Sequence, residues 1–91
     1  MERENRYNKM LNFLNFLQEI GFNFNPKDIK YYFKDDCIDI IIDLNYFYLY
    51  DNNIYRWFYD TKLLNTSENI NEFKYNITRI FKTKFEHNNE A

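Results

Sequence analysis

Glycine, proline, cysteine and histidine occur once each in these 91 residues, and each scarcity removes a class of function. One glycine, Gly21, leaves no glycine-rich loop to cradle phosphate. One cysteine, Cys37, excludes an internal disulfide framework and points to a reducing compartment. A lone His87 near the end of the chain and a lone Cys37 in a strand offer neither a metal-ligand set nor a thiol–imidazole pair. Asp35, Asp36 and Asp39 surround Cys37 in sequence and raise a thiol pKa rather than lower it. Long apolar runs are missing as well. No stretch approaches the roughly 20 apolar residues that span a bilayer, and residues 1–6 are charged, without the apolar core of a signal peptide. The expectation is a cytoplasmic, non-enzymatic protein with no metal, no other cofactor and no membrane contact.

What the chain has is rings: ten Phe, nine Tyr and one Trp. A chain this short buries only about 60–65% of its unfolded surface, so its core must be dense, and aromatic side chains supply that density. No composition shift or linker divides it, which makes residues 1–91 one domain with frayed tails at 1–4 and 86–91. Net charge is −2, unevenly spread. Residues 27–60 lean acidic, through Asp28, Asp35, Asp36, Asp39, Asp43, Asp51 and Asp60. Residues 61–85 lean basic, through Lys62, Lys74, Arg79, Lys82 and Lys84. Helix-end chemistry accounts for the basic part.

The first element is a helix. Tyr7, Met10, Leu11, Leu14, Leu17 and Ile20 recur at three- and four-residue spacing, Phe13 and Phe16 widen the stripe, and Gly21 suits the position after the end. Asn25-Pro26-Lys27-Asp28 has the form of a helix start, yet Ile29, Tyr31 and Phe33 then alternate as a strand does. With Asp35-Asp36 as a two-residue loop, Ile29, Tyr31 and Phe33 face Ile42, Ile40 and Ile38. Tyr32 then faces Asp39 and Lys30 faces Ile41 on the opposite side. A short helix over residues 26–34 is the alternative to this hairpin. Further on, a bulge or turn near Asp43-Leu44-Asn45 flips the parity and sends Phe47 and Leu49 to the core. Asn52-Asn53 makes a second two-residue turn. A final helix carries Ile70, Phe73, Ile77, Ile80, Phe81 and Phe85 on one stripe, with Asn69 and Glu72 placed as a capping box. The expected fold class is therefore α+β, in the order α-β-β-β-α, a three-stranded antiparallel sheet with two helices packed on one face.

Candidate sites follow from this register. Asp39 and Asp43 share a strand face, but no oxygen-ligand loop of defined spacing is present, so they read as solvated carboxylates. Asp28-Ile29-Lys30 and Glu72-Phe73-Lys74 have the acid-x-Lys spacing of some nucleases, a pattern short enough to arise by chance. In the second hairpin a two-residue turn pairs Tyr50 with Tyr55, Tyr48 with Trp57 and Tyr46 with Tyr59. If Phe47, Leu49 and Phe58 face the helices, these six rings point outward and seek a partner. Tyr and Trp are the residues most enriched at interface hot spots.

The α-β-β-β-α order resembles that of double-stranded-RNA-binding domains, a family that grips phosphates with lysines at the start of its last helix. Here that turn reads Ser67-Glu68-Asn69-Ile70-Asn71-Glu72, which is acidic, so the grip is absent and direct nucleic-acid binding is not expected. A regulator using Arg79, Lys82 and Lys84 with exposed tyrosines is the alternative, as is a homodimer joined through the aromatic face or a sheet edge. In its shortness, acidity, Asn and Tyr richness and acidic-aromatic strands at residues 37–44 and 46–51, the chain is similar to small phage proteins of AT-rich bacteria, including anti-CRISPR inhibitors. That resemblance implies a viral protein that associates stoichiometrically with a host protein or ribonucleoprotein effector and blocks its nucleic-acid or partner site. Tyr46, Tyr48, Tyr50, Tyr55, Trp57 and Tyr59 would anchor it. Asp35, Asp36, Asp39 and Asp43 would enter a basic groove in place of phosphates.

Overall fold

The computed structural model describes the backbone of residues 2–83 and the side chains of residues 5–83. Helix α1 (Glu2–Glu19) leads through a 3-10 helix (Pro26–Asp28) into five strands: β1 (Ile29–Phe33), β2 (Cys37–Ile42), β3 (Asn45–Tyr50), β4 (Tyr55–Tyr59) and β5 (Lys62–Ser67). Helix α2 (Ile70–Phe81) closes the order. The strands form one antiparallel meander in the order β1-β2-β3-β4-β5. The class is α+β as expected, but the sheet has five strands rather than three. Helix α1 opens at Glu2, inside the segment expected to be a tail. Lys84, Phe85, His87 and the expected tail at 86–91 lie outside the described residues.

Both departures in strand number have local causes. Residues 37–50 are not one bulged strand. Asp43 adopts φ 54°, and Asp43-Leu44 forms a two-residue loop that pairs Ile42 with Asn45, so the chain reverses where a parity change was expected. Strand β5 hides in the sequence because a register shift opposite Trp57 and Phe58 interrupts its alternation. Leu63 pairs with Phe58 and Asn65 with Trp57, leaving Leu64 as the extra residue of a bulge.

Other signals translate directly. The β1–β2 register is Ile29↔Ile42, Tyr31↔Ile40 and Phe33↔Ile38. Of the two readings of residues 25–34 the strand holds, over Ile29–Phe33. The helix-start signal yields only the 3-10 turn Pro26–Asp28, capped by Asn25 Oδ1 accepting from the Lys27 N–H at 3.0 Å. Gly21 takes φ 93° beyond α1, a left-handed conformation that suits glycine. Asn69 Oδ1 accepts from the Glu72 N–H at 2.7 Å and caps α2.

The core lies between the sheet and the two helices. Met10, Phe13 and Leu17 of α1 and Phe73 and Ile77 of α2 meet the inward residues of β2, β3 and β4. Rings knit the layers together. Phe13 sits edge-on to Phe47 at 5.0 Å and stacks on Phe73 at 5.8 Å, while Tyr55 stacks on Phe73 at 5.5 Å. Trp57 is fully buried and its Nε1–H donates to Asn45 Oδ1 at 3.0 Å, so its one polar atom is satisfied.

Candidate functional site

Because successive strand residues point to opposite faces, burying one set of side chains under the helices presents the other set on the far side. Across that far side run two rows. One joins Tyr32, Asp39, Tyr48 and Arg56; the other joins Lys30, Ile41, Tyr46, Phe58 and Leu63. Tyr50 stands at the end of β3 on the same side. Tyr46, Tyr48, Tyr50, Ile41 and Phe58 are half-buried and Tyr32 is exposed. Among the described residues no helix covers this face.

The rings on it are mutually ordered. Tyr48 and Phe58 meet edge to face at 5.7 Å, and the Arg56 guanidinium lies 5.6 Å from the centre of the Tyr50 ring, a cation–π arrangement. Asp39 is buried on this otherwise open face. Its carboxylate lies 2.9 Å from Lys34 Nζ and accepts from the Cys37 thiol at 3.1 Å. The hydrogen bond from Lys34 to Asp39, and then the carboxylate's charge, hold the Lys34 ammonium above its ordinary pKa. Burial first, and the bond to Asp39 second, push the Cys37 thiol up to about 12. Burial, reinforced by the Asp39 charge, also raises the Tyr48 phenol. The centre of the face is thus aromatic, and its one carboxylate is neutralised.

The remaining carboxylates stand at the rim. Asp35 and Asp36 form the β1–β2 turn, Asp43 opens the β2–β3 turn and Asp60 opens the β4–β5 turn, all exposed. Arg6 of α1 anchors one end of this rim. It bonds Asp51 at 2.6 Å and donates to the carbonyl oxygens of Asp35, at 2.8 Å, and of Lys34. The Asp51 N–H donates to the Asp36 carbonyl at 2.9 Å, so two neighbouring turns are tied to one helix.

The six-ring ladder expected from the sequence is divided in two. Tyr46, Tyr48 and Tyr50 do face away from the helices, and Phe47 and Leu49 do lie in the core. Tyr55 and Trp57, however, are buried under the helices, and Tyr59 lies on that same side, 39% exposed. The cause is loop length. Leu49 pairs with Tyr55 and Tyr50 N–H bonds Ile54 O, so the loop is Asp51-Asn52-Asn53, one residue longer than Asn52-Asn53 alone. Asn53 takes φ 67°, as the last residue of such three-residue loops does. One added residue turns every side chain of β4 to the opposite face. Phe58 leaves the core side for the open face by the same step, contrary to expectation. Asp39 does not stand free beside Asp35, Asp36 and Asp43, because Lys34 and Cys37 enclose it.

Tyr32, Ile41, Phe58 and Leu63 were missing from the expected site. The pairings Tyr32–Asp39 and Lys30–Ile41 had already placed the first two on the outer side. Phe58 and Leu63 depended on the loop length and on a strand that the pattern concealed.

Elsewhere, a cleft of about 340 Å³ separates the helices, lined by Asn5, Asn8, Lys9, Asn12, Ile70 and Lys74. Lys9 Nζ lies 4.9 Å from the Tyr55 ring centre and Lys74 Nζ lies 5.5 Å from that of Phe16. Among the described residues no group of three or more His, Cys, Asp or Glu side chains could hold a metal ion. No described helix is long and apolar enough to cross a membrane. Compared with known proteins, the chain matches no family model, no curated protein and no solved structure.

Proposed function

We propose that this chain is a non-enzymatic binding protein that docks a protein partner on the open face of its sheet. The observation that carries this reading is Tyr46, Tyr48, Tyr50 and Phe58 gathered on a face that no described helix covers. An aromatic centre whose buried carboxylate is paired, inside a polar rim, is the anatomy of a protein interface. The rim also selects the partner. Asp35, Asp36 and Asp43 are exposed carboxylates, complementary to a basic surface surrounding an apolar patch. A nucleic-acid-binding surface on a host-defence effector of the CRISPR type has that chemistry, and the size and composition of the chain favour such a target. The protein then acts as a stoichiometric, phage-encoded inhibitor.

Titration into target cleavage by a purified CRISPR effector tests this directly. Cleavage should stop near one-to-one stoichiometry, and cleavage that persists at large excess removes the host-defence reading. Tyr48→Ala with Phe58→Ala should abolish inhibition while the fold survives. Asp35→Lys with Asp36→Lys should slow association and flatten its salt dependence.

A second reading draws on Lys30 and Arg56, which share the face with the rings: aromatic sheet faces can stack single-stranded bases. The acidic rim opposes it. Fluorescence anisotropy with labelled single-stranded DNA and RNA distinguishes the two, since tight binding with a steep salt slope favours this second reading.

A further inference from the structure

The sheet has two edges, and they differ. Strand β5 carries the bulge at Leu64, and its Asn65 and Ser67 side chains bond each other and Asn76. A bulge is a device that keeps an edge from pairing, and these bonds tie β5 to α2. Strand β1 has neither a bulge nor an internal proline, and it is exposed at Lys30, Tyr31 and Tyr32. Lys34 N–H bonds Cys37 O, which fixes the phase of the ladder: Lys30, Tyr32 and Lys34 bond to β2. The main-chain groups of Tyr31 and Phe33, with the carbonyl of Ile29, therefore point outward. The Ile29 N–H is already used by Pro26 O. Among the described residues no strand meets these outward groups.

We propose that β1 pairs with β1 of a second copy, antiparallel and centred on Tyr31, to give a twofold homodimer. The sequence of the strand is self-complementary about that residue. Tyr31 faces Tyr31, Ile29 faces Phe33, and Lys30 faces Tyr32, an ammonium against a ring. The one lysine of the strand thus meets a ring. Sliding to the next register on either side sets Lys30 against Lys30, or Lys30 against Lys34, and like charges directly opposite are destabilising. The lysines that would repel a foreign strand or a slipped copy leave this one register open. On the helix side, Tyr31 is 48% exposed and its ring lies 5.6 Å from Phe33, so pairing covers both rings with their symmetry mates. A twofold contact of this kind is isologous and closes at two copies. The contact is small, so the dimer is reversible.

This pairing rests on main-chain groups at an edge and takes only Lys30 and Tyr32 from the margin of the open face, so it stands or falls independently of docking through Tyr46, Tyr48, Tyr50 and Phe58. Sedimentation equilibrium from micromolar to hundreds of micromolar, on the full chain, tests it. The wild-type mass should double with concentration. Tyr31→Pro removes an N–H that the monomer does not use, and Tyr31→Lys sets two like charges on the twofold axis. Each should move the midpoint at least about tenfold to higher concentration with an unchanged circular dichroism spectrum. If proline disturbs the fold, the lysine variant at this exposed position carries the test. Tyr48→Ala with Phe58→Ala should dimerise as the wild type does, and the Tyr31 variants should still inhibit the effector. A wild type that stays monomeric throughout, or Tyr31 variants that dimerise normally, overturns the proposal.

Discussion

Asp39 is 6% exposed on the side of the sheet that the helices leave bare, an unfavourable place for a carboxylate unless its charge is met. Lys34 and Cys37 meet it, and the thiol bears the consequence. With its pKa raised to about 12, Cys37 is protonated and inert near neutrality, because the thiolate is the reactive form. Alkylation of the native protein at pH 8 should run at least about a hundredfold slower than in denaturant, as mass spectrometry over time would show. The stability that the protonated thiol contributes is complete below its ordinary value of 9.0. It is lost as the pH climbs from there towards 12. Asp51 has the opposite sign. The Arg6 hydrogen bond holds its carboxyl below the ordinary 3.8, so its contribution is present above that value and fades as acid takes the pH below it. Arg6→Ala should cost about 1–2 kcal/mol near neutrality, measured by urea unfolding. The gap from the wild type should narrow in strong acid.

Among the elements, loops decide more than strands do. Asp35-Asp36, Asp43-Leu44 and Asp60-Thr61 each join neighbouring strands through two residues, while Asp51-Asn52-Asn53 uses three. Asp43, at φ 54°, occupies a position where glycine is preferred in a two-residue hairpin loop. Asp43→Gly should raise stability by about 0.5 kcal/mol, visible as a higher urea midpoint with an unchanged slope. These same loops set how far the fold was legible in the sequence. The helices and the first hairpin were plain, because Leu17, Phe73 and Ile77 recur at helical spacing and Ile38 and Ile40 alternate in step with Phe33 and Tyr31. The β3–β4 register was not, since Asp51-Asn52-Asn53 contains an acceptable two-residue turn and an acceptable three-residue loop. The choice between them carries Trp57 from one face to the other. Half of the candidate site was therefore legible: Tyr46, Tyr48 and Tyr50 take their parity from Phe47 and Leu49, whereas Tyr55, Trp57 and Phe58 take theirs from the loop. Strand β5 escaped because a bulge erases the alternation by which a strand is recognised.

For the molecule as a whole, placing both helices on one side divides its work by parity. Trp57→Ala should cost about 3–5 kcal/mol, as expected for deletion of a fully buried ring. Tyr48→Ala, on the open side, should cost about 1 kcal/mol or less. Thermal and urea unfolding of the two variants would measure the contrast, and comparable losses would mean that the open face is as structural as the core. A twofold dimer through β1 would also continue the meander across the axis, setting both open faces on one side with all four helices on the other. A target with repeated sites would then be held bivalently, and more tightly than either face alone could manage.

The alternation has a practical corollary. Since Tyr32, Ile41, Tyr46, Tyr48, Arg56 and Phe58 interleave with the residues that pack beneath the helices, a library varied at those positions alone would leave the interior untouched. Such a meander is a scaffold whose recognition can be rewritten every second residue, so selection for new targets can proceed without first being filtered by folding.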